Sequence, residues 1–400
     1  MKRFSYRATD KATRKPVSGV IQAESEKAAG KILVEQGYIP EKIVDEDQKG
    51  LFSQLTNKAS SKDRIIFTRQ FATLIGAGLP IARSLKTASE QSTSPAMKQV
   101  IDDVSTSVES GRSLSDAFGG HPEVFNDVYL ALVAAGEASG TLDVALARLA
   151  TQDEKDAAMI SKIRGAMVYP AIIFVVILVV LGFMMIEVVP EVRKLYEDMN
   201  KPLPGITQFL VNVSDFFAEK WWLVLLILGA IVYGINAYRK TPPGKRTFAL
   251  FKLNVPMFNT LFQRLYMNRF ARTMEMLLGS GVSMLEALKI SARATSNFYM
   301  EEQFNSAAEK VKAGKPLSEC VEELDYVLPL VPQMIGIGEQ SGKIDEMIGK
   351  AAEVYENELD EKIANISTMI EPVLMVVMAG LIGVVIAGTL LPIYSLVSAI

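Results

Sequence analysis

Three stretches of this chain hold no Asp, Glu, Lys or Arg for 18 residues or more, and they constrain the fold more than any other feature. Residues 165–186 run for 22 residues and include AIIFVVILVVLGFMMI; residues 221–238 run for 18 and open with Trp221 and Trp222; residues 372–400 run for 29. About 20 apolar residues in a helix span the hydrocarbon of a bilayer. Tyr169, Trp221, Trp222, Tyr238 and Tyr394 stand at the ends of the runs, where amphipathic rings favour the headgroup layer. Three such runs are hard to hide in a soluble core, so the sequence predicts a polytopic membrane protein. The apolar fraction of 49% also excludes a disordered chain.

Other function classes fall away on counting. A net charge of −3 argues against a nucleic-acid binder. The single cysteine, Cys320, excludes an internal disulfide and any cysteine metal cluster, and the single histidine, His121, excludes His-rich zinc motifs and most histidine-based catalysis. No cofactor is implied.

The opening MKRFSYRATD is charged and has no apolar core of a cleavable signal. The N-terminal part is therefore expected to stay in the cytoplasm. Arg239, Lys240, Lys245, Arg246 and Lys252 form a dense basic flank after the second run, whereas some thirty residues between runs one and two carry only Arg193, Lys194, Lys201 and Lys220. Positive charge favours the cytoplasmic side, so residues 240 onward are expected there, and three spans then place the C-terminus outside.

The chain is also duplicated. FTRQFATLIGAGLPIARSL at 67–85 matches FARTMEMLLGSGVSMLEAL at 270–288, pairing Phe67 with Phe270, Arg69 with Arg272, Gly76 with Gly279, Gly78 with Gly281 and Leu85 with Leu288. Gly111 and Leu114 pair with Gly314 and Leu317. After a one-residue gap GEASGTLDVAL (136–146) pairs with GEQSGKIDEMI (338–348), Pro170 with Pro372 and Pro190 with Pro392. Each unit is thus a polar helical domain followed by one span. Two such units point the same way only if the chain recrosses the membrane between them, and run 221–238, which has no repeat partner, sits where that return is needed.

The predicted fold class is mainly α: two homologous cytoplasmic helical bundles, three transmembrane helices and a small N-terminal αβ module. The layout is an αβ module at 1–50, a linker at 51–62, helical domain 1 at 63–164, a span at 165–189, a short outer loop at 190–219, a span at 220–239, helical domain 2 at 240–370 and a span at 371–397. In the first module RFSYRAT, VSGVIQAES and YIPEKIVDE read as strands, and residues 25–36 as an amphipathic helix closed by Gly37. FTRQFATLI has the 3.6-residue apolar period of a helix, with Ser60 and Asp63 placed as a capping box. Residues 81–90, 95–110, 114–118, 124–135 and 142–163 read as further helices.

Candidate functional residues are few. GIGEQSGK resembles a phosphate-binding loop, but Ile337 and Ile344 occupy positions that need Gly and Ser or Thr, Thr141 replaces Lys343 in the other copy, and the stretch follows a helix rather than a strand. The pattern reads better as a helix–turn–helix corner. Gly76, Gly78, Gly279 and Gly281 supply helix stops; Gly136 and Gly338 end a helix; Gly140 and Gly342 permit a tight turn. Glu137 and Glu339 are expected to accept unpaired amides at the next helix start. These corners are expected to be structural, with partner docking as the sharper reading. Glu353, Glu356 and Asp360 share one helical face, and Asp153, Glu154 and Asp156 take the similar place in the first copy. Such a face could bind a divalent cation or a basic partner, but acid runs on exposed helices are common, so a solvated face is expected. His121 and Cys320 read as structural, and Glu187 as an ionisable group at the outer edge of the first span.

The doubled F-x-R…LIGAG/LLGSG motif, the doubled GExSG corner, and Tyr169-Pro170 and Glu371-Pro372 at the span starts resemble the inner-membrane platform proteins of type IV pilus and type II secretion systems. Phe4, Tyr6, Ala8, Gly19, Ala23 and the GYIP at 37–40 are similar to that family's opening. The turn at 10–16 departs from it, with Thr13 and Arg14 where a Gly is usual. The resemblance implies a non-enzymatic, oligomeric, often dimeric scaffold of the bacterial inner membrane. Its partners would be a cytoplasmic hexameric ATPase, pilin or pseudopilin subunits, other inner-membrane assembly proteins and membrane lipid. A small-solute transporter built from parallel repeats is the alternative. It expects ionisable residues near mid-membrane, which the three runs lack. A membrane enzyme would have to show turnover by the chain alone.

Overall fold

Three strands open the chain: β1 (Lys2–Asp10), β2 (Pro16–Ala23) and β3 (Tyr38–Asp45) form an antiparallel sheet in the order β2-β1-β3. Helix α1 (Glu26–Glu35) connects β2 to β3 across β1, and its Ala29 and Leu33 are buried. Gly37, at φ +84°, closes α1, its amide donating to the Val34 carbonyl at 3.1 Å. The αβ module expected from the sequence is therefore present. The computed structural model describes residues 2–10, 16–23, 26–35, 37–45, 59–198, 205–256 and 258–397. The turn at 11–15 and most of the expected linker lie outside them. The chain divides into two units, Met1–Val124 and Phe125–Ile400.

In the first unit α2 (Ser61–Gly76), α3 (Ile81–Gln91), α4 (Pro95–Glu109) and α5 (Leu114–Gly119) follow the sheet module. The Ser60–Asp63 capping box forms: the Ser60 hydroxyl accepts the Asp63 amide at 3.2 Å, and the Asp63 carboxylate accepts the Ser60 amide at 3.0 Å. Each bond satisfies an amide that the first helical turn leaves unpaired. Phe67 stacks on Phe71 at 5.4 Å, and Phe118 meets both rings edge-on. Leu85, Met97, Ile101 and Val104 complete this core.

The second unit begins with α6 (Asp127–Ser139). It starts three residues later than the sequence reading placed it, because the Asn126 side chain accepts the Tyr129 amide at 2.9 Å and sets the cap there. Helix α7 (Leu142–Phe183) runs through the expected boundary at 164 without a break, with Pro170 inside it. A π-helical turn, Met184–Val188, leads into α8 (Val189–Asp198). Helix α9 (Gly205–Lys240) contains one non-helical residue, Lys220, at φ −120° and ψ 24°.

The expected short outer loop at 190–219 is corrected: its described residues, 190–198 and 205–219, are helical. Val189 of α8 packs with Leu210 and Val211 of α9. The Ser214 hydroxyl donates to the Met185 carbonyl, one of those in the π turn, and Arg193 meets Asp215 at 2.9 Å. An apolar i, i+3/i+4 set gives these polar segments a partner to fold against.

There follow α10 (Pro242–Asn254), α11 (Asn259–Leu278), α12 (Met284–Ala294), α13 (Phe298–Lys312), α14 (Leu317–Glu322), α15 (Leu330–Ser341) and α16 (Ile344–Val397). Phe270, the repeat mate of Phe67, stacks on Phe304 at 4.0 Å. The matched phenylalanines find their aromatic partners on different helices, since Val321 stands where the first copy has Phe118. Cys320 is buried in α14. Among the described residues, three helices are long and apolar enough to cross a membrane: they lie within Leu142–Asp198, Trp222–Lys240 and Ile344–Val384. Leu225, Ile231, Val232 and Tyr233 of the second are half or more exposed in the chain alone, as lipid-facing residues must be.

Candidate functional site

The duplicated corners are the most sharply defined feature of the chain. Gly140 ends α6 at φ +72° and Gly342 ends α15 at φ +69°. A residue with a Cβ pays about 1–2 kcal/mol to adopt that left-handed conformation. The Thr141 amide returns to the Gly136 carbonyl at 2.9 Å, and the Lys343 amide to the Gly338 carbonyl at 2.9 Å. This six-to-one bond satisfies carbonyls that the helix end leaves open.

Gly136 and Gly338 therefore do not end their helices; they lie in the last turn and permit close approach. A Cβ on Gly136 would lie 2.7 Å from Ala145 Cβ, and one on Gly338 would lie 2.6 Å from Ile344 Cα. The same pairing recurs at Gly78 and Gly281, at φ +82° and +83°, and at Gly111 and Gly314, at φ +90° and +92°. Gly76 and Gly279 are the last helical residue of α2 and the cap of α11, with ordinary negative φ. The stop in each copy is thus made by Gly78 and Gly281.

Glu339 does accept helix-start amides, but those of the preceding helix in the chain. Its carboxylate takes the Leu317 amide at 2.6 Å and the Ser318 hydroxyl, both at the start of α14. Sequence order suggested the following helix, and only the packing of α14 beside α15 reverses it. Glu137 is half-buried on α6. Lys343, in the loop-like GEQSGK, pairs with Glu346 at 3.0 Å.

From these corners two long helices descend side by side. Met159 of α7, Leu359 and Ile363 of α16 and Leu261 of α11 form one apolar seam, with Ile163 and Leu265 packed against it. Leu359 is fully buried; burying a leucine contributes about 1.5–3 kcal/mol.

Ion pairs flank the seam. Lys155 meets Glu356 at 2.9 Å, and Lys162 meets Asp360 at 2.7 Å. Arg272 of α11 spans Glu356 and Glu275, each at 2.8 Å. Glu353 and Asp360 are exposed, as expected of a solvated acidic face, but Glu356 is partly buried, and both Glu356 and Asp360 pair with bases of the same chain. Asn268, also on α11, donates to the Ala352 carbonyl at 2.8 Å from a buried position. Tyr355, 3% exposed, has no partner within hydrogen-bond geometry, although the Leu330 backbone is near, and burial pushes its hydroxyl pKa up.

Further along, Pro170 and Pro372 both lie inside helices, α7 and α16. Beyond them the spans line a wholly apolar cleft of about 150 Å³, with Ile177 and Leu181 of α7 and Met184 of the π turn on one side and Met378, Leu381 and Ile382 of α16 on the other. No cluster of potential metal ligands occurs among the described residues.

The comparisons with known proteins match this organisation. The model of the type II secretion system protein F family matches residues 67–190 and 270–392, and that of the family's N-terminal domain matches residues 1–44. The two copies start at Phe67 and Phe270 and end at Pro190 and Pro392, pairs that the duplication itself defines. The chain is 34% identical to a type IV pilus assembly protein PilC of Thermus thermophilus, covering 99% of this chain and 98% of the relative. It is 37% identical to a PilC of Myxococcus xanthus, covering 85% and 81%. It is 31% identical to the type II secretion system protein F of Vibrio cholerae, covering 98% of both. Nothing in these relatives supports a transporter. The chain belongs to the type II secretion system protein F family, the multi-pass inner-membrane platform proteins of type IV pilus and type II secretion systems.

Proposed function

We propose that this platform is a non-enzymatic coupler between a cytoplasmic hexameric assembly ATPase and pilin or pseudopilin subunits. It would work as a homo-oligomer, a dimer in the simplest case, beside other inner-membrane assembly proteins. The N-terminus and the helical domains 63–164 and 240–370 lie in the cytoplasm, and the C-terminus outside. The basic flank after the second span supports that orientation.

One observation carries the reading. The helix that starts at each glycine corner continues without interruption into a span: α7 covers 42 residues and α16 covers 54. At 1.5 Å per residue they are rods of about 63 and 81 Å. A rod that is continuous across the membrane surface passes a displacement from one side to the other. The corners with Gly136, Glu137 and Gly140, and with Gly338, Glu339 and Gly342, are the proposed docking points, because Ser139, Thr141, Ser341 and Lys343 at their tips are exposed.

The test uses the full-length protein in nanodiscs, the purified assembly ATPase of the same cell, and a strain lacking this chain. Capture of the ATPase by the wild type, reduced at least tenfold in a Thr141→Glu/Lys343→Glu variant of unchanged Tm, supports the reading. Absence of capture together with normal filament or secretion output in the deletion strain refutes it.

A further inference from the structure

We propose that α10 is an in-plane helix that docks the platform on anionic phospholipid headgroups where the second span leaves the membrane. The inference rests on the chain spanning the bilayer and not on which side α10 faces.

The first observation is that α10 is pinned to the end of the span. Span helix α9 ends at Lys240, and α10 starts at Pro242. The Thr241 amide donates to the Tyr238 carbonyl at 3.0 Å, the Thr241 hydroxyl donates to the same carbonyl at 2.6 Å, and that hydroxyl accepts the Gly244 amide at 3.2 Å. Tyr238 Oη lies 3.3 Å from Thr247 Oγ1. A Cβ on Gly244 would fall 1.8 Å from the Tyr238 carbonyl oxygen. The first turn of α10 is therefore pressed against the last turn of the span. Tyr238 belongs to the headgroup layer by residue type, so α10 starts at that depth, and attraction of its later turns to the lipid decides whether they stay there.

The second observation is the chemistry of its two faces. Ala249 and Leu253 are buried at 6% and 1% exposure. On the opposite side Phe251 is 63% exposed, with Thr247 beside it and Phe248 half-buried on the same side. Arg239 lies over the Phe248 ring at 5.4 Å. Lys245 is exposed on the flank of this face, and Lys252, 6.0 Å from the centre of the Phe262 ring, extends along the same flank. An outward phenylalanine between lysines, beside a span, is the pattern of a helix lying in a membrane interface.

The third observation is charge. Residues 220–274 contain no Asp or Glu. Arg246 meets Glu302 at 3.5 Å, while Lys240 and Lys245 have no carboxylate within 4.0 Å among the described residues. A basic cluster directly after a span is attracted to anionic lipid by about 1 kcal/mol per charge, about fivefold in partition. Phe251 would sit among the acyl chains just below the headgroups, and Lys245 and Lys252 would meet the phosphates.

The test places an environment-sensitive fluorophore on Phe251→Cys in the full-length chain, where the native Cys320 is buried. The protein is reconstituted in nanodiscs of phosphatidylcholine alone or with 30% phosphatidylglycerol, each with nitroxide-labelled lipid. The expected result is a blue-shifted probe quenched from the headgroup depth in the anionic discs. That quenching should fall several-fold in phosphatidylcholine, in high salt and in Lys245→Gln/Lys252→Gln. A second probe, Ile227→Cys, reports the span. Deep quenching at 227 with a water-exposed 251 in both discs overturns the lipid site and leaves the span intact. No quenching at 227 removes the span and the proposal together. Quenching at 251 that ignores lipid charge, or that tracks protein concentration as contact with a second copy would, overturns the proposal as well.

Discussion

Replacing Gly338 by alanine probes the corner that launches α16. In an ordinary helix interior Gly→Ala is stabilising by about 0.5–1 kcal/mol. Gly338 lies in the last turn of α15, yet its added Cβ would lie 2.6 Å from Ile344 Cα and 3.1 Å from Ile344 N. Carbon atoms rest about 3.5–4.0 Å apart, so the overlap is about 1 Å, and it is with backbone that has no rotamer to swing aside. Overpacking of this kind costs about 1–3 kcal/mol, which outweighs the propensity gain. Two further substitutions separate the causes. Gly342→Ala meets no atom within 4 Å and carries only the strain of φ +69°, about 1–2 kcal/mol. Gly76→Ala also meets no atom, at a helical φ, and should be neutral or stabilising. Scanning fluorimetry of the full-length proteins in one detergent gives the order. At about 2–4 °C per kcal/mol for a cooperative unit of 150–250 residues, Gly76→Ala should match or exceed wild type, with Gly342→Ala and Gly338→Ala melting several degrees lower. A Gly338→Ala protein as stable as wild type, or less perturbed than Gly76→Ala, would refute the close-approach argument.

Glu339→Gln weakens and Glu339→Ala removes the acceptor for the Leu317 amide and the Ser318 hydroxyl. The alanine variant should lose about 1–2 kcal/mol and show faster hydrogen exchange in α14 without change in α13. Arg272→Ala should cost clearly more than Lys162→Ala: the Arg272 side chain is 17% exposed between two carboxylates, whereas Lys162 and Asp360 are about half exposed. Exposed pairs contribute about 0–1 kcal/mol, and equal Tm losses would contradict this ranking. Asp63 adds a pH test. Burial alone would raise its pKa, but the Ser60 amide and hydroxyl, Ser94 and Lys62 outweigh that and hold it below the ordinary value of 3.8. A lowered folded pKa means that its stabilisation is complete above 3.8 and is lost as the pH falls through the folded value. The Tm gap between wild type and Asp63→Asn at neutral pH should therefore close in acid; a gap that persists there would contradict the capping role.

Much of the site was legible in the sequence where it depends on neighbours in the chain. The capping box at Ser60 and Asp63 spans three residues. The left-handed turns at Gly140 and Gly342 lie within one helical turn of the groups they satisfy. The type of Glu339 and its place at a helix end mark it as an acceptor of helix-start amides, but which helix it serves depends on the packing of α14 beside α15. The bases that pair with Glu356 and Asp360, namely Lys155, Lys162 and Arg272, are 84 or more residues away in the chain, so no local pattern shows the pairing. The helices at 190–198 and 205–219 escape a local reading because prolines and charges there carry the pattern of a loop, while Val189, Leu210 and Val211 find one another only in the packed structure.

The sequence by itself determined the three apolar runs, the duplication with its unpaired middle span, and the local chemistry of caps and corners. These follow from side-chain transfer into lipid and from backbone conformation, both of which act over a few residues. The tertiary structure decided that α7 and α16 continue through Pro170 and Pro372, that their charges neutralise each other along one seam, and that α10 folds back onto the end of its span. Those outcomes depend on which distant surfaces meet, and no periodicity along a single helix encodes its partner.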